Sequence, residues 1–155
     1  MTKGQKAPDF TLFNTQKRPV TLSEECAKGP VLLLFYPAAF TGVCTNELNM
    51  VSNDLEAYAP AQVFGVSTDT LFTQAEFAKV NAFKIEQLSD HEGTVSAAFG
   101  AKYDGNFGPM KYDRIAKRSA FLVDTEGVIQ YAEILENPGN LPDLDAIRAA
   151  ISEIG

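Results

Sequence analysis

The stretch Pro37-Ala38-Ala39-Phe40-Thr41-Gly42-Val43-Cys44 carries the sharpest chemistry in this sequence. It follows a continuous apolar run, Val31 to Tyr36, and precedes Leu48, Val51, Leu55 and Tyr58, which recur at the spacing of one helical stripe. That pattern predicts Cys44 in the first turn of a helix, with Thr41 at its N-cap. Free N–H groups and the positive end of the helix dipole favour an anion at such a place. A sulfur held there is favoured as the thiolate, the form that acts as a nucleophile. The competing fate of Cys44 is that of a small buried hydrophobe, and position alone weighs the two about evenly. Taken singly, Thr41 is no more than a structural cap and Pro37 a strand breaker; the combination is what points to chemistry.

The rest of the composition removes alternatives. The only other cysteine is Cys26, and the pair has neither zinc-ligand spacing nor the density of a disulfide scaffold. His91 is the only histidine, so multi-histidine metal sites and a Ser-His-Asp arrangement hang on one residue. Its neighbours Asp90 and Glu92 read more simply as loop or helix-start carboxylates. Thirteen basic against twenty acidic residues leave a formal charge of -7, which repels phosphate backbones and anionic lipid. The longest apolar stretch, Pro30 to Phe40, is short of the ~20 residues a membrane-spanning helix needs. The opening Met-Thr-Lys-Gly-Gln-Lys-Ala-Pro has no apolar core of a secretory signal, so the expectation is a cytoplasmic, reducing setting.

The elements that must position Cys44 follow from periodicity. The 155 residues are 45% hydrophobic and 21% charged, without repeat or low-complexity tract, and predict one domain over 1–155. Phe10–Phe13 and Pro19–Leu22 flank a polar turn and predict an N-terminal hairpin. Val31–Tyr36 reads as a strand covered on both faces, stopped by Pro37. The Cys44 helix, ended by Pro60, leads to a second buried strand, Gln62–Ser67, completing a parallel βαβ crossover. A helix over about Leu71–Ala82, capped by Asp69 or Thr70, comes next. A short strand at Glu86–Ser89 and a short helix near Thr94–Phe99 follow, the latter ended by Gly100. Ala101–Lys117 is polar and glycine-containing and reads as a long surface loop. Ser119–Val123 and Val128–Ala132 flank Asp124-Thr125-Glu126-Gly127 as an antiparallel hairpin, and Leu144, Ile147, Ile151 and Ile154 share one face of a last helix. This order predicts an α/β fold of thioredoxin-like type: a mixed central sheet, helices on both faces and an extra N-terminal hairpin.

Pro37, Thr41 and Cys44 match all three fixed positions of Pro-x-x-x-(Thr/Ser)-x-x-Cys, and the chain here resembles the peroxiredoxins, thiol-dependent peroxidases. The resemblance covers nearly the whole chain. Ala7-Pro8-Asp9-Phe10 is similar to the family's opening, Val66-Ser67-Thr68-Asp69 to its second strand end, and Leu88-Ser89-Asp90 to its later loop. Lys117–Asp124 is similar to the segment bearing the family's active-site arginine. The resemblance implies a peroxidatic Cys44 that attacks the peroxide O–O bond and becomes a sulfenic acid. It further implies that Thr41 holds the peroxide, Pro37 shields the sulfur, and Arg118 hydrogen-bonds thiolate and peroxide. The N–H groups of Val43 and Cys44 would complete the cradle. Preorganised donors suit a displacement that develops negative charge on the departing oxygen, and a guanidinium offers several in a fixed fork. Arg114 competes with Arg118 on sequence distance alone, and only the resemblance favours Arg118. Glu47, one helical turn after Cys44, reads equally as a support for the arginine or as a solvent-facing carboxylate.

Recycling needs a second thiol. Position 49, where one branch of the family has its resolving cysteine, is asparagine, and no cysteine follows Cys44. The strand between Cys26 and the Cys44 loop separates its ends by about 20 Å at ~3.3 Å per residue, against the ~7 Å between Cα atoms that a disulfide allows. Cys26 is therefore expected to be structural, with a bridge between subunits left open. The resemblance is closest to the one-cysteine alkyl hydroperoxide reductase E-like branch. It implies hydrogen peroxide and organic hydroperoxides as substrates, and no metal, haem or flavin. It also implies an external thiol (thioredoxin, glutaredoxin or a low-molecular-weight thiol) as reductant, and a homodimer. Two other readings stand beside it. A thiol–disulfide oxidoreductase of the same fold lacks its second sulfur, since Thr41 occupies that position. A binding module that has lost the chemistry is disfavoured by the intact Pro37, Thr41, Cys44 and Arg118.

Overall fold

The computed structural model describes residues 1–154. Seven strands form one mixed sheet in the order β2-β1-β5-β4-β3-β6-β7. The strands are β1 (Thr11–Asn14), β2 (Pro19–Thr21), β3 (Val31–Phe35), β4 (Gln62–Ser67), β5 (Glu86–Ser89), β6 (Ser119–Val123) and β7 (Ile129–Ile134). β3, β4 and β5 run parallel, whereas β6 lies antiparallel to β3 and the hairpin β1–β2 extends the sheet antiparallel to β5. The expected mixed sheet with an added hairpin is present.

β3 is wholly buried because both faces of the sheet are covered, which is why its sequence is an unbroken apolar run and not an alternation. Val31, Leu33 and Phe35 point into one core with Cys26, Phe99, Phe121 and Ile129. That face is covered by α1 (Leu22–Cys26) and α4 (Thr94–Ala98), which contribute Cys26 and Val95. Leu32, Leu34 and Tyr36 point into the other core with Cys44, Leu48, Phe77, Ile147 and Ile151. Here the cover is α2 (Gly42–Asn53), α3 (Leu71–Asn81) and α5 (Leu144–Ile154).

One expectation needs correction. The stripe Leu48, Val51, Leu55 and Tyr58 is not one helix: α2 stops at Asn53, and Leu55–Tyr58 is a separate 3₁₀ turn, the break falling at Asp54, whose φ and ψ are -130° and 37°. The loop 101–117 is present and carries local structure. It holds a 3₁₀ turn at Gly108–Met110 and isolated bridges Lys102–Ala116 and Phe107–Tyr112, which fold it into a flap of its own. Of the two candidate caps of α3, the structure uses Thr70, whose hydroxyl accepts from the Thr73 N–H at 3.3 Å.

The sheet register decides where chemistry can gather. Phe35, the last residue of β3, pairs with Val66 near the end of β4 and with Ser119, the first residue of β6. The loop leaving β3 and the residue entering β6 therefore meet at the carboxyl end of β3. Crevices beyond the carboxyl ends of parallel strands are the usual ligand position in such sheets.

Candidate active site

Cys44 lies in the first turn of α2, as its sequence position implies, and is 1% exposed. The N–H groups of Val43 and Cys44 have no protein acceptor among the described residues, so that turn offers free donors around the sulfur. Thr41 occupies the N-cap position with extended backbone, but its side chain does not cap. Its hydroxyl instead donates to the Ala38 carbonyl at 2.8 Å, and the residue is exposed. The loop is therefore turned on itself at Thr41, leaving the helix donors uncapped. Pro37 is buried.

Arg118 reaches the same place from the start of β6. Its Nη2 donates to Cys44 Sγ at 3.2 Å and to the Pro138 carbonyl at 3.0 Å, while Nη1 donates to Glu47 Oε1 at 2.6 Å. Arg118 is 1% exposed and Glu47 wholly buried. Of the two arginines that compete on sequence distance, the structure brings Arg118 to the sulfur; Arg114 is exposed and its side chain lies over Gly93.

The solvent-facing reading of Glu47 is overturned. On α2, residues 44, 47, 48 and 51 fall on one stripe, and that stripe is buried. A carboxylate on an apolar stripe was the available signal, since such a group is buried only with a partner. Burial pushes the Glu47 carboxyl up to about 7, against the pull of Arg118. For Arg118, burial opposes the charge, yet Glu47 and the Cys44 sulfur together hold the guanidinium above its ordinary value. Glu47 Oε2 and Arg118 Nε have no protein partner. The arrangement thus sets one guanidinium between a carboxylate and a sulfur, with further donor capacity at the same spot.

Sequence reasoning missed two contributors. Pro138 acts through its carbonyl, which no side-chain pattern announces. The connector that carries it is pinned by Tyr103 Oη donating to the Glu136 carbonyl at 3.3 Å and by a Lys117–Glu136 ion pair at 2.9 Å. Asp69, read as a possible helix cap, instead accepts the Ala39 N–H at 2.9 Å, a contact between two loops thirty residues apart. Its signal was visible only as a segment, Val66–Asp69, without a role.

Comparison with known proteins shows the family. The sequence profile of the AhpC/TSA family matches residues 3–132. A protein of Mycobacterium tuberculosis whose name places it among the peroxiredoxins is 38% identical over 130 residues, 81% of this chain and 80% of that one. Alkyl hydroperoxide reductase E of Mycobacterium tuberculosis is 34% identical over 144 residues, covering 90% of this chain and 89% of its own length. The crystal structure of peroxidoxin BcpB from Mycobacterium tuberculosis superposes with a TM-score of 0.87 at 34% identity, over 100% of this chain and 99% of that one. A chloroplastic 2-cysteine peroxiredoxin of Chattonella marina var. antiqua is also similar, at 30% identity over 136 residues, 84% of this chain and 69% of its own.

Proposed function

This chain belongs to the AhpC/TSA family and is a thiol-dependent peroxidase, and on that premise we propose that it works as a one-cysteine peroxiredoxin through Cys44. The observation that carries the assignment of Cys44 is its 3.2 Å contact with the buried Arg118 guanidinium. The Cys44 thiolate attacks one oxygen of a hydroperoxide; an S–O bond forms, the O–O bond breaks, and the alkoxide or hydroxide that departs takes up a proton. Cys44 is left as a sulfenic acid. Arg118 and the free N–H groups of Val43 and Cys44 face the charge that shifts from sulfur to the departing oxygen. Thr41, at the exposed mouth of the loop, holds the peroxide, and Pro37 covers the sulfur from below. Glu47 orients Arg118 through the 2.6 Å pair. Hydrogen peroxide and small organic hydroperoxides are the substrates.

A thiol from outside then condenses with the sulfenic acid, releasing water and leaving a mixed disulfide. A second thiol resolves it. What supports this route is the placement of Cys26, the only other cysteine, in the core on the opposite face of β3. The reductant is thioredoxin, glutaredoxin or a low-molecular-weight thiol, in keeping with a cytoplasmic setting. A homodimer completes the proposal, with Phe40, half-exposed beside the site and packed on Phe77, as a residue that a second copy would cover.

The test is an intact-mass time course after about one equivalent of hydrogen peroxide, with a sulfenate trap, beside Cys44→Ser. Rapid adduct formation confined to Cys44 is expected. Persistence of the sulfenate until an outside thiol is added supports one-cysteine recycling, and its conversion to a disulfide-linked dimer overturns it. A Cys44→Ser variant that consumed peroxide at the wild-type rate would sink the mechanism.

A further inference from the structure

The backbone of the Cys44 loop is almost untethered. Tyr36 N–H donates to the Val66 carbonyl at 2.9 Å and Thr45 N–H to the Thr41 carbonyl at 3.0 Å. Between them, among the described residues, the one backbone N–H with a protein acceptor is that of Ala39, which donates to Asp69 Oδ2. Its neighbour Phe40 has φ of 65°, a left-handed conformation that a bulky side chain adopts only at a cost of about 1–2 kcal/mol. Such a residue holds its geometry only if the surroundings impose it.

Asp69 is built to impose it. The same Oδ2 accepts the Ser67 hydroxyl at 2.7 Å, and Ser67 Oγ in turn accepts from Gln74 Nε2 at 2.9 Å. Ser67 and Gln74 are fully buried, and Gln74 Nε2 also donates to the Leu88 carbonyl at 2.8 Å. From the other side, Ser89 Oγ donates to the Asp69 carbonyl at 2.6 Å. Asp69 is therefore braced at its carboxylate by Ser67 on β4, itself held by Gln74 of α3, and at its main-chain carbonyl by Ser89 on β5, and it presents one carboxylate oxygen to the loop.

We propose that Asp69 is a positioning residue for the peroxidase reaction: seated on Ser67 and Gln74, it latches the Ala39 N–H and so sets the loop that aims Thr41 and the first turn of α2 at the peroxide. The inference rests on the assignment of Cys44 above and goes beyond it, because Asp69 touches neither sulfur nor Arg118. Since no other backbone donor of the loop is engaged, this one bond to an acceptor oxygen sets where the loop sits. Releasing it moves donors by a fraction of an ångström to an ångström, a displacement to which rates of this kind are steeply sensitive.

The experiment compares Asp69→Ala, Asp69→Asn and Ser67→Ala with the wild type by two readouts. One is the single-turnover rate of Cys44 sulfenate formation with hydrogen peroxide. The other is amide hydrogen exchange of residues 38–44 in the reduced protein, which does not depend on any activity. Asp69→Ala is expected to react roughly 10- to 100-fold more slowly and to exchange faster in that segment alone. Asp69→Asn keeps an oxygen that can accept from both Ala39 and Ser67, and is expected to stay within about threefold of the wild type. Ser67→Ala removes one brace and shifts both readouts in the same direction by less. Asp69→Ala with wild-type rate and wild-type exchange overturns the latch, as does an Asp69→Asn variant no better than alanine. Should Asp69→Ala not fold, Asp69→Asn and Ser67→Ala decide: faster exchange confined to 38–44 in Ser67→Ala with Asp69→Asn unaffected supports it, and unchanged exchange in Ser67→Ala overturns it. A wild type that forms no sulfenate defeats the peroxidase assignment of Cys44 and leaves the exchange comparison to judge the latch.

Discussion

Cys26 and Cys44 are both buried thiols, 2% and 1% exposed, on opposite faces of the same strand, and they differ in what surrounds them. Around Cys26 are apolar side chains and the carboxylates of Asp124, Asp9 and Glu25, with Lys6 as the one opposing charge. Burial first, and those carboxylates second, push its thiol up to about 11. Cys44 has an equally dry site but faces the Arg118 guanidinium and free helix N–H groups. The comparison teaches that burial by itself makes a cysteine inert, because the anion it must become is unsolvated. Burial together with preorganised cationic donors replaces the lost water by fixed partners. On the assignment proposed for Cys44, reactivity is a property of the face of the sheet, not of the residue type.

Exchanging the two thiols for hydroxyls breaks the comparison most directly. Cys44→Ser is expected to lower peroxide consumption with an external thiol by at least ~10³-fold, whereas Cys26→Ser stays within about twofold. Equal losses from both variants, read in the same coupled assay, would mean that Cys26 takes part in turnover. The next effect in size is at the guanidinium. Arg118→Met removes the charged donor and should slow sulfenate formation roughly 10²- to 10³-fold. It also strands Glu47 in the core and should cost about 3–5 kcal/mol in urea unfolding. Adding Glu47→Gln should restore much of the stability and little of the rate. If the double variant recovers rate as well, Arg118 acts only as a counter-charge to Glu47.

Most of the fold was legible because its elements announce themselves locally. β4 and β5 have their expected bounds, β4 because it is a short apolar segment between turn residues, β5 because it runs up to the turn at Asp90 although Leu88 is its one apolar residue. β3 differs by one residue, at Tyr36, where the ladder gives way to a single bond to Val66. The site was legible where one segment carries it: Pro37, Thr41 and Cys44 lie within eight residues, and the helix start follows from them. It was illegible where the partner arrives from elsewhere in the chain. The burial of Glu47 depends on Arg118, seventy-one residues on, which only the β3–β6 register brings near. The Thr41 hydroxyl looked like a cap because its type and position fit; the turn back to Ala38 depends on the conformation of Phe40, which no propensity predicts. The role of Pro138 is a backbone one and leaves no trace in side-chain pattern.

The smallest effects sharpen the comparison by placing each face in its own pH window. The Glu47 carboxyl, ordinarily near 4.5, is held at about 7 in the fold, so the folded chain keeps this proton longer than the unfolded one. The stability this gives is fully present below the unfolded value and is lost as pH rises through about 7. Glu47→Gln should therefore flatten the part of the stability curve between roughly pH 4.5 and 7, relative to its parent. Cys26 follows the same sign higher up: its thiol goes from an ordinary 9.0 to about 11, so its contribution is intact below about 9 and lost as pH rises toward 11. Cys26→Ala should flatten only that alkaline stretch and leave the neutral one unchanged. Both differences are read from urea unfolding at stepped pH in a Cys44→Ser background, so that oxidation of the reactive sulfur does not distort the baseline. Tyr36 and Tyr131 also carry raised values and add alkaline slope of their own, which cancels between parent and variant. An alkaline slope untouched by Cys26→Ala would mean that water reaches Cys26 in solution. The two faces would then differ less in dryness than in charge, and the guanidinium alone would separate the proposed nucleophile Cys44 from Cys26.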